Sequence, residues 1–216
     1  MFPYLAYLLV LAFQDLVPPS GWPVFIAVHM ALVAGVCWIF RRHYPALGRP
    51  YLIWAVPLGL IACVWWVMGQ HWVDHTPLGG RLPLYPGEPG PFNPHEKLGN
   101  GPVFWSYVAL KLVRAVVVVP FVEELLWRGL LLRAFEDWNH YDQVPWGRFS
   151  WRAFIGTALL STVQHPDNWV VSIGCWFLFN GLFYWKKSLL CVMACHAITN
   201  LALYAYVLGT SDWRFW

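Results

Sequence analysis

Charge inside an apolar run needs a reason, and one run carries three charges. The segment AVVVVPFVEELLWRGLLLRAF places Glu123, Glu124 and Arg128 among leucines and valines. Glu124 and Arg128 are four residues apart, so on a helix they share a face and can pair. Glu123 points about 100° away at about 3.6 residues per turn, and the residue four positions on is Trp127. One glutamate therefore has a structural partner and the other is left for reaction. Downstream, His165 stands in LLSTVQHPDNW, and His196 in CVMACHAITNLAL has Asn200 on its own helix face at i+4. Carboxylates and imidazoles are the residue types of general acid–base chemistry. Each also has a bland reading: an ion pair packing a bundle, a satisfied core histidine at 196, a turn before Pro166 and Asp167 capped by His165.

The elements that must position these groups are membrane helices. Of 216 residues, 59% are hydrophobic and only 12% charged, against about 25% charged in a soluble domain. In lipid every backbone amide must be paired internally, which leaves helices or a closed barrel. The apolar runs are continuous rather than alternating, so helices are expected. The spacing predicts a single all-α, polytopic transmembrane bundle over 1–216, with about seven spans at 2–17, 22–40, 51–69, 103–135, 151–165, 169–185 and 188–209. The fourth is too long for one straight crossing, and Pro120 is expected to kink it. A charge at a helix centre costs at least about 2.5 kcal/mol, which favours function for Glu123, Glu124 and Arg128. Counted from the cytoplasmic ends of their spans, Glu123, His165, His196 and Asn200 fall at depths of about 12 to about 21 Å, at a rise of about 1.5 Å per residue.

Basic residues set the orientation. Arg41, Arg42, Arg49, Arg133, Arg148, Arg152, Lys186 and Lys187 fall on one side, and Arg81, Lys97 and Arg214 on the other. The richer side is expected to be cytoplasmic, with the N-terminus inside and the C-terminus outside. The Pro/Gly-rich stretch 70–101 then forms a long external loop. The N-terminal apolar segment lacks a basic leader and a cleavage site and is kept as a span. Lys111 and Arg114 either snorkel toward the outer interface or line a cavity. Asn180 is expected to make an interhelical hydrogen bond. Trp22, Trp72, Trp105, Trp151, Trp169 and Trp185 are placed for an interfacial belt, and the five cysteines for packing. Net charge of +3 without a basic cluster excludes nucleic acid as a partner.

EExxxR (Glu123, Glu124, Arg128), a histidine at a later span end (His165) and HxxxN (His196, Asn200), in this order, resemble the CAAX protease and bacteriocin-processing family of intramembrane proteases. The similarity covers about 103–209, a CAAX-protease-like core. The FNP segment at 92–94, the PxVEELxWRG core and the C-terminal tryptophans resemble a bacterial branch associated with exosortase sorting systems. Ser161 stands where the family usually has phenylalanine, four residues before the middle histidine.

The resemblance implies an integral protein of a bacterial inner membrane that hydrolyses a peptide bond near the end of a membrane-associated protein or peptide. In that mechanism Glu123 is general base on a water, His165 orients the water and shuttles the proton, and His196 and Asn200 donate to the oxyanion. Glu124 and Arg128 support the site. No cofactor is favoured, since the HExxH zinc helix is absent. The alternative is a zinc enzyme using Glu123, His165 and His196. A second class of function is a non-catalytic membrane partner of an exosortase-type sorting system. A transporter would show paired inverted repeats, and none is evident.

Overall fold

The computed structural model describes residues 1–85 and 92–216. Among the described residues there are helices and no strands. The part of the expected external loop at 86–91 lies outside them. In chain order the helices are α1 (Phe2–Leu11), α2 (Trp22–Phe40), α3 (Leu52–Val73) and short α4 (Pro94–Leu98). Then come the long α5 (Pro102–Ala134), α6 (Trp151–Gln164), α7 (Trp169–Lys186) and α8 (Leu189–Thr210).

Seven apolar segments thus lie where the hydrophobic runs put them, but they are not equal. Four are long and apolar enough to cross a membrane: Pro19–His43, Leu52–Val73, Pro102–Ala134 and Leu189–Thr210. Phe2–Leu16 is shorter. α6 has 14 residues and reaches about 21 Å, against about 30 Å of hydrocarbon. It stops because His165 precedes Pro166, and a residue before proline is driven out of the helical region; His165 sits at φ −124°, ψ 61°. α6 and α7 therefore form a hairpin whose turn carries His165, Pro166 and Asp167.

Two ends of the bundle are distinct. At one, Ser188 donates to the carbonyls of Leu47 and Arg49, Trp146 donates to the carbonyl of Lys187, and Arg148 pairs with Glu136. At the other, Arg81 pairs with Asp167, Tyr85 donates to the Val163 carbonyl, and Arg214 pairs with Asp74. Of the tryptophans expected in an interfacial belt, Trp72, Trp105, Trp151 and Trp185 are exposed. Trp22 is buried instead, because its indole donates to the Val17 carbonyl at 3.0 Å. Four cysteines are buried and Cys37 is half-buried.

Around Pro120, α5 contains two wide π-helical turns, at Arg114–Val118 and Trp127–Leu131. They flank the segment that carries both glutamates. Elsewhere the packing depends on close approach. Thr199 on α8 donates to the Gly59 carbonyl on α3 at 3.1 Å. A Cβ on Gly59 would stand 2.6 Å from the Cys195 carbonyl oxygen, whereas one on Gly35 would meet nothing within 4 Å. Small residues let membrane helices touch backbone to backbone. Gly59→Ala is therefore expected to destabilise by about 1–3 kcal/mol through overpacking. Gly35→Ala should be neutral or slightly stabilising, and thermal unfolding of both in detergent checks the contrast.

Candidate active site

The site is built around a buried charge network. Arg128 and Glu124 are fully buried and paired through Nη1, at 2.9 and 3.1 Å from the two carboxylate oxygens. Arg128 Nε donates to Asn180 Oδ1 at 3.1 Å. The Asn180 amide in turn donates to Thr157 Oγ1 and the Phe154 carbonyl, so α5, α6 and α7 are tied together. On its other side, Glu124 Oε1 lies 2.9 Å from His196 Nδ1. A carboxylate accepts, so Nδ1 is the donor, which fixes the ring and leaves Nε2 for other contacts.

Glu123 points elsewhere, as the angular offset requires. Its carboxylate is buried and accepts from Gln164 Nε2, while Trp127 Nε1 donates to Gln164 Oε1 at 3.1 Å. Gln164 is the last residue of α6 and precedes His165. The glutamate is thereby anchored beside the end of the helix that presents the middle histidine. Sequence reasoning missed Gln164; its position next to His165 is the only signal that marks it. The His165 ring stands edge-on to Trp66 at 5.0 Å and to Trp176 at 5.4 Å.

Asn200 has a backbone role. In the first wide turn, the N–H of Val119 bonds the Arg114 carbonyl, five residues back. The next carbonyl, that of Ala115, would take the N–H of residue 120, but Pro120 has none. Asn200 Nδ2 fills the gap at 2.7 Å. One N–H of that amide is used there and the other is free to serve a ligand.

His165, His196 and Asn200 line one cavity of about 1050 Å³ together with Trp66, Trp176 and Phe179. Glu123 is not among the lining residues, though it lies within electrostatic range of His196. The structure thus brings three of the four residues to a common surface and leaves Glu123 buried outside its lining. Ser161, at the departure from the family pattern, is buried and faces Ser172 Oγ at 3.2 Å, joining α6 to α7. Among the described residues, no three His, Cys, Asp or Glu side chains group as a metal site. His71 contacts Asp212 and Arg214, and His95 stacks on Phe104.

Two charges noted on α5 find partners other than carboxylates. Arg114 is buried, with Gln14 Oε1 at 3.3 Å and His29 Nδ1 at 3.5 Å. Lys111 Nζ lies over Trp216 at 4.3 Å, with Phe92, Tyr107 and Tyr204 around it. Trp216, Phe92 and Tyr204 also line the cavity.

Residues 105–202 match the model of the type II CAAX prenyl endopeptidase Rce1-like family, a little under half of the chain. The match contains Glu123, Glu124, Arg128, Gln164, His165, Asn180, His196 and Asn200 and supports an intramembrane protease in general. No curated protein and no solved structure matches the chain.

Asn200→Leu is expected to cost about 1–3 kcal/mol, because it strands a buried carbonyl. The loss should shrink in a Pro120→Ala background, where the helix regains the missing donor. A double-mutant cycle on unfolding temperature reads this directly. Glu123→Gln, which keeps the shape and a partner for Gln164, should shift that temperature little.

Proposed function

We propose that the chain is an intramembrane endopeptidase of the glutamate type, cleaving near the end of a membrane-associated protein or peptide. The observation that carries this is the single cavity wall shared by His165, His196 and Asn200, with Glu123 held by Gln164, the residue before His165. The volume lies at the upper end of ligand pockets, about 300–1,000 Å³, and suits a peptide segment better than a small metabolite.

Glu123 takes a proton from water, and His165 orients that water and passes the proton to the leaving nitrogen. The oxygen attacks the scissile carbonyl, the carbon–nitrogen bond breaks, and a new carboxylate and amine leave. The second N–H of Asn200 and Nε2–H of His196 donate to the oxyanion. His196 can do so when both ring nitrogens are protonated, and Glu124 then balances its charge. Arg128 and Asn180 hold Glu124, and so hold the ring. His196 is held by Glu124 and Asn200 by the Ala115 carbonyl without any substrate present, the condition under which such donors contribute most.

The chain's proposed setting is a bacterial inner membrane and a sorting system of exosortase type. What supports it is the gathering of Phe92 and Asn93 with Trp213 and Trp216 on the lining of the same cavity.

Comparison of membrane-protein termini by mass spectrometry is the test. Glu123→Gln or His165→Ala should abolish specific cleavages present with the parent chain, at unchanged protein level. Full activity in both variants would discard the assignment. Cleavage should survive a strong chelator; loss restored by zinc would favour the metal-dependent version.

A further inference from the structure

The cavity has a direction. Beyond its wall of His165, His196 and Asn200, it is lined by Asp74, Arg81, Asn93, Glu96, Asp167 and Arg214. All six belong to one end of the bundle, where the segment after α3, the turn after α6 and the C-terminal tail meet. Toward the opposite end the space is filled: Phe183 on α7, Leu132 on α5, and Leu189 and Val192 on α8 are buried core. The cavity therefore runs from this polar end of the bundle to His165.

The closed end is the basic one. It carries Arg41, Arg42, Arg49, Arg133, Arg148, Arg152, Lys186 and Lys187, against Arg81, Lys97 and Arg214 at the open end. Loops rich in lysine and arginine stay in the cytoplasm. We infer that the cavity opens on the non-cytoplasmic face, and that the substrate is a peptide segment already carried across the membrane. A cytoplasmic tail would meet only the packed base of the bundle. This inference rests on the protease reading for its substrate but not for its geometry.

Two measurements separate the parts. Glu96 lines the cavity mouth and is exposed; Gln143 is exposed in the connection beside the basic end. In spheroplasts making the full-length chain, a membrane-impermeant maleimide should label Glu96→Cys and not Gln143→Cys, and inverted vesicles should reverse the pattern. The parent chain, with its five cysteines, sets the background. Labelling of Gln143→Cys in spheroplasts, with Glu96→Cys protected, would overturn the inference while leaving the protease reading intact. In the second measurement, the cleavage sites lost in Glu123→Gln membranes should all map to translocated segments. Sites in cytoplasmic tails would overturn the proposed substrate, and a complete lack of Glu123-dependent sites would overturn it together with the protease reading.

Discussion

A glutamate and an arginine with no exposure to solvent are the constraint around which this bundle is arranged. Removing two charges from water costs several kcal/mol per ion even after relaxation, and a bare pair seldom recovers it. Here much of the cost is offset by further hydrogen bonds, although Arg128 Nη2 has no hydrogen-bond partner. Glu124 accepts from Arg128 and from His196, and Arg128 also donates to Asn180. Because the partners come from α5, α7 and α8, satisfying the charges fixes three helices relative to one another. It also fixes an imidazole at the cavity surface. In this bundle, the demand that buried charge be paired and the placing of the His196 ring on the cavity wall are met by the same contacts.

A second constraint comes from one missing proton donor. Pro120 and the wide turn before it leave the Ala115 carbonyl without an intrahelical partner, and Asn200 supplies one from α8. A break in one helix thus becomes a contact with another, close to the glutamates. Membrane helices tolerate proline when a neighbour re-satisfies the freed backbone group. The amide used for that purpose still has an N–H to offer. Positioning and proposed chemistry are in this way shared within a single side chain.

How much of this could be read from the chain alone depended on the distance over which each cause acts. The Glu124–Arg128 pair follows from i, i+4 spacing, and the end of α6 at His165 follows from Pro166; both are local and both are present. The interhelical role of Asn180 followed from the cost of burying an amide in lipid. Gln164 as the holder of Glu123, and Ala115 as the partner of Asn200, depend on how α5 unwinds and which face meets α6 and α8. Periodicity does not encode that. The burial of Trp22, expected at an interface, was set by a carbonyl five residues earlier. The shortness of α6 was legible too: its run at 151–165 is below the roughly 17 residues that a crossing needs, and the helix ends at Gln164.

The claim that buried charge pairing organises the site is tested most directly by the unfolding temperatures of Glu124→Gln, Arg128→Leu and the double variant in one detergent. If the pair is what the bundle is built around, each single change strands a charge and lowers the temperature more than the double change does. A coupling of about 0.5–3 kcal/mol is expected for such neighbours. Losses that simply add would mean that the two residues act independently, and would contradict the account.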